Sequence, residues 1–552
     1  MENGGLNNEV IDKRKEKIKA WLKNPYHLIF IIILILGICI RLYYFNLTKS
    51  QPIWWDEADY LAYAKNIAGI VPYWTITSQH NSILPYLVAV FFKVGLSEEI
   101  VKFLLELIPS IILIFLVYKI CLLMYEDKRI ALISSFLMAV LWEVLFNSMR
   151  FHVDIPALTL GLLAVYIFWQ GYEKGEKIFG KINPKFSIPL AVFLVILTYS
   201  MRRGYFIFGI FFLLYMVGTR NIKDLIKDKY NWIALGFSVF LFLFIEKFIY
   251  ITSEVKNVGI YYHGENPINF LPLQVFNSFF ISQQGWLNFF LYLFWIGFIL
   301  ILFNVILSFG YIKKARKTNA QADLFVIITI CITLALFIFV LRTPGNFGES
   351  RWYFPLLLGA FISISRASLT ITDFIKSYNK YLAVIVLIGL MIIGGYFQFS
   401  QADLIIKNKV SSFEGIKQAS FYVKEISSPE DVIVSVAVPQ VVYYAERKTV
   451  QPDKIANWEN SQVPLDKFLE KLKEMPEAKY LFVSLSQVGH PDWMLKLYGV
   501  NGQITGWEIP FMDTKADLAT NKQDIRQSKV YGDITFELLN VKSDVLIYTI
   551  KR

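Results

Sequence analysis

The 552-residue chain is 55% hydrophobic and 16% aromatic, with a mean hydropathy of +0.46. Soluble domains are about 45–50% apolar, so this composition points to a polytopic membrane protein. The formal charge of +11 does not make a nucleic-acid binder, because the Lys and Arg residues are dispersed over loops between apolar runs rather than gathered on one face. Cys39, Cys121 and Cys331 lie inside apolar runs, which argues against a disulfide framework and against a zinc–thiolate site.

The polar, basic lead over residues 1–27 is followed by an apolar run long enough to span and by no small-residue cleavage site, so it reads as an uncleaved first helix. Apolar runs predict spans near Leu28–Phe45, Ile100–Met124, Ile130–Phe146, Ile155–Tyr172, Ser187–Met201 and Tyr205–Val217. Further spans are expected near Trp232–Ile251, Trp286–Leu307, Leu324–Leu341, Trp352–Ser365 and Tyr381–Phe397. That makes about 11 transmembrane helices of the usual length, the pair flanking Arg202-Arg203 being short. Ser82–Gly95 is shorter still and reads as an interfacial helix.

Lys and Arg alternate between loops. Lys13 to Lys23, Lys128-Arg129, Lys174 to Lys185, Arg220 to Lys229, Lys313 to Lys317 and Arg366 to Lys380 fall on one side. The positive-inside rule makes that side cytoplasmic. The N-terminus is then inside and the region from Gln401 outside, in a plasma (cell) membrane. Residues 28–400 form the membrane module, with the first outer loop over 46–99. Residues 401–552 read as an extracytoplasmic α/β domain, with strands at Val432–Val438 and Tyr480–Leu485 and helices at Phe413–Ile426 and Leu465–Lys473.

The outward loops hold the unusual polar residues: Asp56, Glu57, Asp59 and His80; Arg150, His152 and Asp154; Arg202 and Arg203; His263 and Glu265; Arg342, Glu349 and Arg351. Ionisable groups at membrane depth are functional candidates. Each also has a structural explanation. Asp56 can cap a helix over Glu57–Ala68, and Asp154 can cap the fourth span with Pro156 in its first turn. Arg202 and Arg203 can snorkel to headgroups, Arg351 and the Trp54-Trp55 pair can anchor at the interface, and a lone His is commonly a hydrogen-bonded surface group. Jointly, an acidic pair and several outward arginines suit chemistry on an anionic, lipid-borne substrate. Guanidinium groups match phosphate oxygens, and a carboxylate can take a proton from an attacking hydroxyl.

The order "DEADYLAYAKNIAG", "NSILPYLVAVFFKVG", "MRFHVDIPALTLGLLAVYIF" and "ESRWYFPLLLGAF" resembles the GT-C membrane glycosyltransferases, in particular the protein O-mannosyltransferase and aminoarabinose transferase superfamily. The similarity runs from Leu28 to Ser365. It implies inverting transfer of one sugar from a polyprenyl-phosphate carrier to a lipid, glycan or protein acceptor on the outer face. By that resemblance Asp56 is the general base and Glu57 its supporting acid. Asp154 and Arg150 belong near the active site, and Arg351 is placed to hold the carrier phosphate. The first loop departs from aminoarabinose transferases, which carry Glu-Lys-Pro where this chain has Gln79-His80-Asn81-Ser82. Without that lysine, Arg202, Arg203 and Arg351 must carry the phosphate charge, with His80 and His263 as further substrate-binding candidates. A divalent metal is the one cofactor left open. "WWDEA" also resembles the WWD motif of oligosaccharyltransferases, but theirs lies in the C-terminal domain, so the match reads as coincidental. The competing functions are a lipid-linked saccharide transporter or flippase, which predicts charges through the bilayer midplane, and a binding scaffold, which leaves the converging acids without a role.

Overall fold

The computed structural model describes residues 23–71, 74, 81–250, 289–310, 319–336, 350–501 and 503–552. In chain order its first helices are α1 (Pro25–Thr48), α2 (Trp55–Ala68), α3 (Leu84–Lys93), α4 (Glu98–Tyr125), α5 (Lys128–Val140), α6 (Trp142–Ser148) and α7 (Asp154–Glu173). There follow α8 (Pro184–Met201), α9 (Arg203–Thr219), α10 (Ile222–Lys227), α11 (Lys229–Tyr250), α12 (Phe289–Ser308), α13 (Asn319–Ala335), α14 (Arg351–Lys376) and α15 (Lys380–Lys409). Each of the eleven expected spans coincides with an apolar helix. Among the described residues eight helices are long and apolar enough to cross a membrane, and the bent pair α5–α6 makes a ninth. The remaining two expected spans, α9 and α13, are shorter apolar helices. The chain is a polytopic membrane protein with a strand-rich C-terminal domain.

Packing divides the chain into two units, one built up to Lys49 and from Lys102–Asn408, the other from Ser50–Val101 and Lys409–Arg552. The membrane unit is tied together by buried polar groups. The 52° bend between α5 and α6 frees backbone groups that the apolar interior cannot solvate. Arg41, fully buried on α1, donates to the carbonyls of Met138 (3.1 Å) and Ala139 (3.0 Å), and Gln398 accepts from the Trp142 amide at 3.4 Å. At another junction Asp323 accepts from Tyr125 (2.6 Å) and Asn304 (2.5 Å) and pairs with Arg366 at 3.5 Å. Such interhelical bonds bring α4, α12, α13 and α14 into register.

In the second unit, α16 (Glu414–Ile426), α17 (Val438–Ala445), α18 (Pro452–Ile455) and α19 (Leu465–Leu472) surround two sheets. The strands are β1 (Val432–Val434), β2 (Thr449–Val450), β3 (Ala478–Ser484), β4 (Lys496–Val500), β5 (Gln503–Ile509), β6 (Thr514–Asp517), β7 (Lys522–Asp524), β8 (Ser528–Tyr531), β9 (Ile534–Lys542) and β10 (Val545–Lys551). The larger sheet has the order β2-β1-β3-β10-β9-β8, parallel over its first three strands and antiparallel after; β4 to β7 form an antiparallel second sheet. Side chains alternate across a strand. Val432, Val434, Leu481, Val483, Leu546 and Tyr548 therefore share one core with Trp507, Phe468 and Leu472. Ile433, Tyr480, Phe482, Val545 and Ile547 turn to the other face, against Ile416, Ala419 and Val441 of α16 and α17.

Two expectations change here. The strand expected over Val432–Val438 stops at Val434, because Val438-Pro439 opens α17 and proline, with no N–H to offer a sheet, suits a helix's first turn. Seven strands after Leu485 were not expected; β4, β7 and β8 among them are largely exposed and show no apolar run.

The segment Ser50–Val101 packs with this domain. Lys65 of α2 bonds Glu446 (2.8 Å) and the Tyr443 carbonyl (2.9 Å), and the Tyr444 hydroxyl accepts from the Ile53 amide at 2.9 Å. Burial raises the Glu446 carboxyl, but hydrogen bonds from Lys424 and Lys65 outweigh it and hold the group below its ordinary value.

Candidate active site

The helix starts of α7 and α14 and the turn between α8 and α9 each supply one charged residue to a common point. Asp154 opens α7 and is fully buried. Its Oδ1 lies 2.5 Å from Arg202 Nη1, and its Oδ2 lies 3.5 Å from Arg351 Nη1. The capping account of Asp154 is thereby corrected. Val153 holds the N-cap position without a side-chain capping bond, and the carboxylate faces guanidinium groups instead.

Local sequence explains how the arginines reach it. Arg202 ends α8 in extended backbone (φ −145, ψ 114), which turns its side chain out of the helical path. Tyr205 then locks two segments together. Its amide bonds the Arg202 carbonyl at 3.0 Å, and its buried hydroxyl donates to the Arg351 carbonyl at 3.1 Å. Arg351 Nη1 lies 3.1 Å from His152 Nε2, and the His152 amide donates to Glu106 Oε1 at 2.9 Å. Arginine has no acceptor, so the imidazole nitrogen accepts in that contact.

Two guanidinium groups converge on one carboxylate, and the Glu106 carboxylate joins the same network through the His152 amide. A charge buried alone would cost several kcal/mol, so a buried carboxylate demands such partners. The guanidinium groups keep access: the Arg202 side chain retains 19% of its surface and Arg351 10%. A guanidinium has five donors, more than one carboxylate can use. The cluster is therefore suited to an additional anion with a planar array of oxygens.

Arg203, one residue on, belongs to a different group. Its guanidinium stands 3.9 Å over the Tyr250 ring and 3.7 Å from Glu246, which also accepts from Tyr199. Beside it, α8, α9 and α11 enclose an apolar cavity of about 950 Å³ lined by Val195, Tyr199, Phe206, Phe212, Trp232 and Phe242. Arg150, in the loop before α7, lies over the Phe146 ring at 5.5 Å.

Asp56 and Glu57 lie on α2 in the other unit. The capping account of Asp56 is corrected as well: the helix starts at Trp55 after Trp54, with no side-chain capping bond, so both acids fall inside the first turn. Glu57 is buried and Asp56 is partly exposed. Asp59 accepts from the Trp74 indole at 3.1 Å. His80, His263, Glu265, Arg342 and Glu349 lie outside the described residues. Among the described residues no three His, Cys, Asp or Glu side chains converge as a metal site would require. Glu106 and Tyr205 were missed by sequence reasoning. Glu106 is an acid inside an apolar run, a signal that was present, whereas Tyr205 carries none.

A family model described as dolichyl-phosphate-mannose-protein mannosyltransferase matches residues 79–249, a stretch that contains His152, Asp154 and Arg202. No curated protein matches the chain in sequence. Three solved structures share its fold. The Archaeoglobus fulgidus oligosaccharyltransferase in the apo form aligns at 13% identity and TM-score 0.57, over 84% of this chain and 70% of that one. ArnT from Cupriavidus metallidurans bound to undecaprenyl phosphate aligns at 10% and 0.56, over 94% and 97%. The arabinofuranosyltransferase AftD from Mycobacteria aligns at 12% and 0.52, over 95% and 40%. None of these relatives supports the transporter reading. The family match covers less than half of the chain, and at 10–13% identity the solved structures show a likeness of fold.

Proposed function

We propose that the protein transfers one sugar, with inversion, from a polyprenyl-phosphate carrier to a glycan, lipid or protein acceptor at the outer face of the membrane. The observation that carries this reading is the convergence of Arg202 and Arg351 on the buried Asp154, an arrangement with more guanidinium donors than one carboxylate can use and so suited to a lipid phosphate. The apolar cavity between α8, α9 and α11 suits an isoprenoid chain. Two neighbours support the carrier class: one is ArnT bound to undecaprenyl phosphate, another the archaeal oligosaccharyltransferase AglB in complex with an inhibitory peptide and a dolichol-phosphate.

The acceptor oxygen attacks the anomeric carbon, and the bond from that carbon to the phosphate oxygen breaks with its electron pair leaving on the phosphate. Arg202 and Arg351 compensate the growing charge. Asp56 takes the acceptor proton, with Glu57 supporting it from its buried position. Arg150, Arg203, His80 and His263 complete the assignment as contacts to sugar, carrier and acceptor. The N-terminus is cytoplasmic, following the alternation of Lys and Arg. The test is incubation of the purified protein with a panel of polyprenyl-phosphate sugars, each with membrane-lipid and glycan acceptors. Release of polyprenyl phosphate is expected, and its absence across the panel refutes the reading.

A further inference from the structure

We propose that the C-terminal domain is a positioning device for the acid-bearing helix α2, acting through Tyr443, Tyr444 and Glu446. This inference rests on the reading of Asp56 as the base.

Both ends of α2 are held by one short stretch of the domain. Ahead of its first residue, the Ile53 amide donates to the Tyr444 hydroxyl at 2.9 Å. In its last turn, Lys65 donates to Glu446 Oε1 at 2.8 Å and to the Tyr443 carbonyl at 2.9 Å, with its ammonium 4.1 Å over the Tyr443 ring. The Tyr443 hydroxyl donates to Glu98 Oε2 at 2.6 Å, fixing the residue that opens α4. Lys417 adds a bond to the Ser50 carbonyl at 2.6 Å, and Trp54 meets Phe413 edge to face.

These ties are mostly polar and directional. Apolar burial alone lets a helix roll by small amounts at little cost, whereas hydrogen bonds at its two ends fix both roll and slide. The 14-residue α2 buries Ala58, Tyr60, Leu61, Ala62 and Ala64, so non-directional apolar packing seats it while the polar ties at its ends set its orientation. Glu446 stands at φ +52, a left-handed conformation unfavourable to a side chain. Lys65 at 2.8 Å and Lys424 at 2.6 Å hold its carboxylate there. Backbone strain of this kind persists where surrounding contacts over-determine it. A catalytic carboxylate displaced by about 1 Å can lose a factor of 10² in rate, so a clamp on both ends of its helix has a direct consequence for chemistry.

The experiment is single-turnover transfer by the full-length protein carrying Tyr444→Phe, Lys65→Met, or both, with Asp56→Asn in parallel. The clamp predicts a rate constant reduced roughly ten- to a hundredfold in the double variant, with full reaction amplitude and an unchanged donor concentration dependence. A merely structural role would lower the amplitude and leave the rate constant at the wild-type value; that result overturns the clamp. Inactive Asp56→Asn beside clamp variants reacting at wild-type rate removes the clamp and leaves the base assignment standing. Wild-type activity in Asp56→Asn removes the base and the clamp together.

Discussion

Asp154 Oδ1 lies 2.5 Å from Arg202 Nη1, with the Asp154 side chain wholly buried and the Arg202 side chain still 19% exposed. The acid is thus committed to the protein and the base to whatever arrives. On the proposed reading Asp154 acts by orienting Arg202 and Arg351, with which it pairs. Asp154→Asn removes a charge that opposes phosphate binding but loosens both arginines. Turnover should fall at least about tenfold, with donor KM unchanged or lowered. Steady-state kinetics against donor concentration check this; a raised KM at unchanged turnover contradicts it.

Arg351→Gln and Arg202→Gln each delete a charge-assisted contact worth about 1.5–3 kcal/mol. Donor use should weaken by roughly one to two powers of ten in either. Arg203→Gln should cost less, because its guanidinium is engaged by Tyr250 and Glu246. Titration of donor saturation in folded variants ranks the three, and an effect of Arg203 equal to the others would remove the distinction between the two clusters.

Asp56→Asn preserves size and removes the proposed proton acceptor. Since Asp56 falls inside the first turn of α2 and Trp54 holds the N-cap position, expression and membrane insertion should be normal while transfer falls about 10²–10⁴-fold. Glu57 is buried beside it, and Glu57→Gln should be milder in turnover. The comparison is transfer rate per mole of folded protein, and a silent Asp56→Asn would hand the role to another group.

Topology is open to a direct measurement. A cysteine placed at Asn457, in the C-terminal domain, should react with an impermeant thiol reagent on intact cells if the Lys and Arg alternation sets orientation. Reaction only after lysis reverses the assignment for the whole chain.

His490 gives the C-terminal domain a pH dependence. Burial drives the imidazole down to about 4 against a single bond from Nδ1 to the Gln487 carbonyl at 3.2 Å. The unfolded chain therefore binds a proton near pH 6.5 that the folded one refuses until about 4. Stability is complete above pH 6.5 and is lost as pH falls toward 4. Between pH 7.5 and 5 the loss is about 2 kcal/mol. Denaturation of the domain followed by tryptophan fluorescence at both pH values should show that drop, and His490→Asn should reduce it. An identical drop in the variant would assign it to other groups.

Hydropathy runs, the Lys and Arg alternation and the acid pair Asp56-Glu57 were legible in the sequence because they are local: a span is a continuous apolar run, and the burial it implies needs no partner. The class of protein, the helices and the residues Asp154, Arg202 and Arg351 as candidates could be read that way. Their union could not. Asp154, Arg202 and Arg351 come from three separate helix ends, and only packing selects Arg202 over its neighbour Arg203 for the carboxylate. The same holds for the roles of Glu106 and Tyr205, which depend on the His152 amide and the Arg351 carbonyl far along the chain. The anchoring of α2 depends on Tyr443, Tyr444 and Glu446, hundreds of residues later. Strands such as β4, β7 and β8 escaped notice because short, half-exposed antiparallel strands are defined by their pairing partners more than by their own composition.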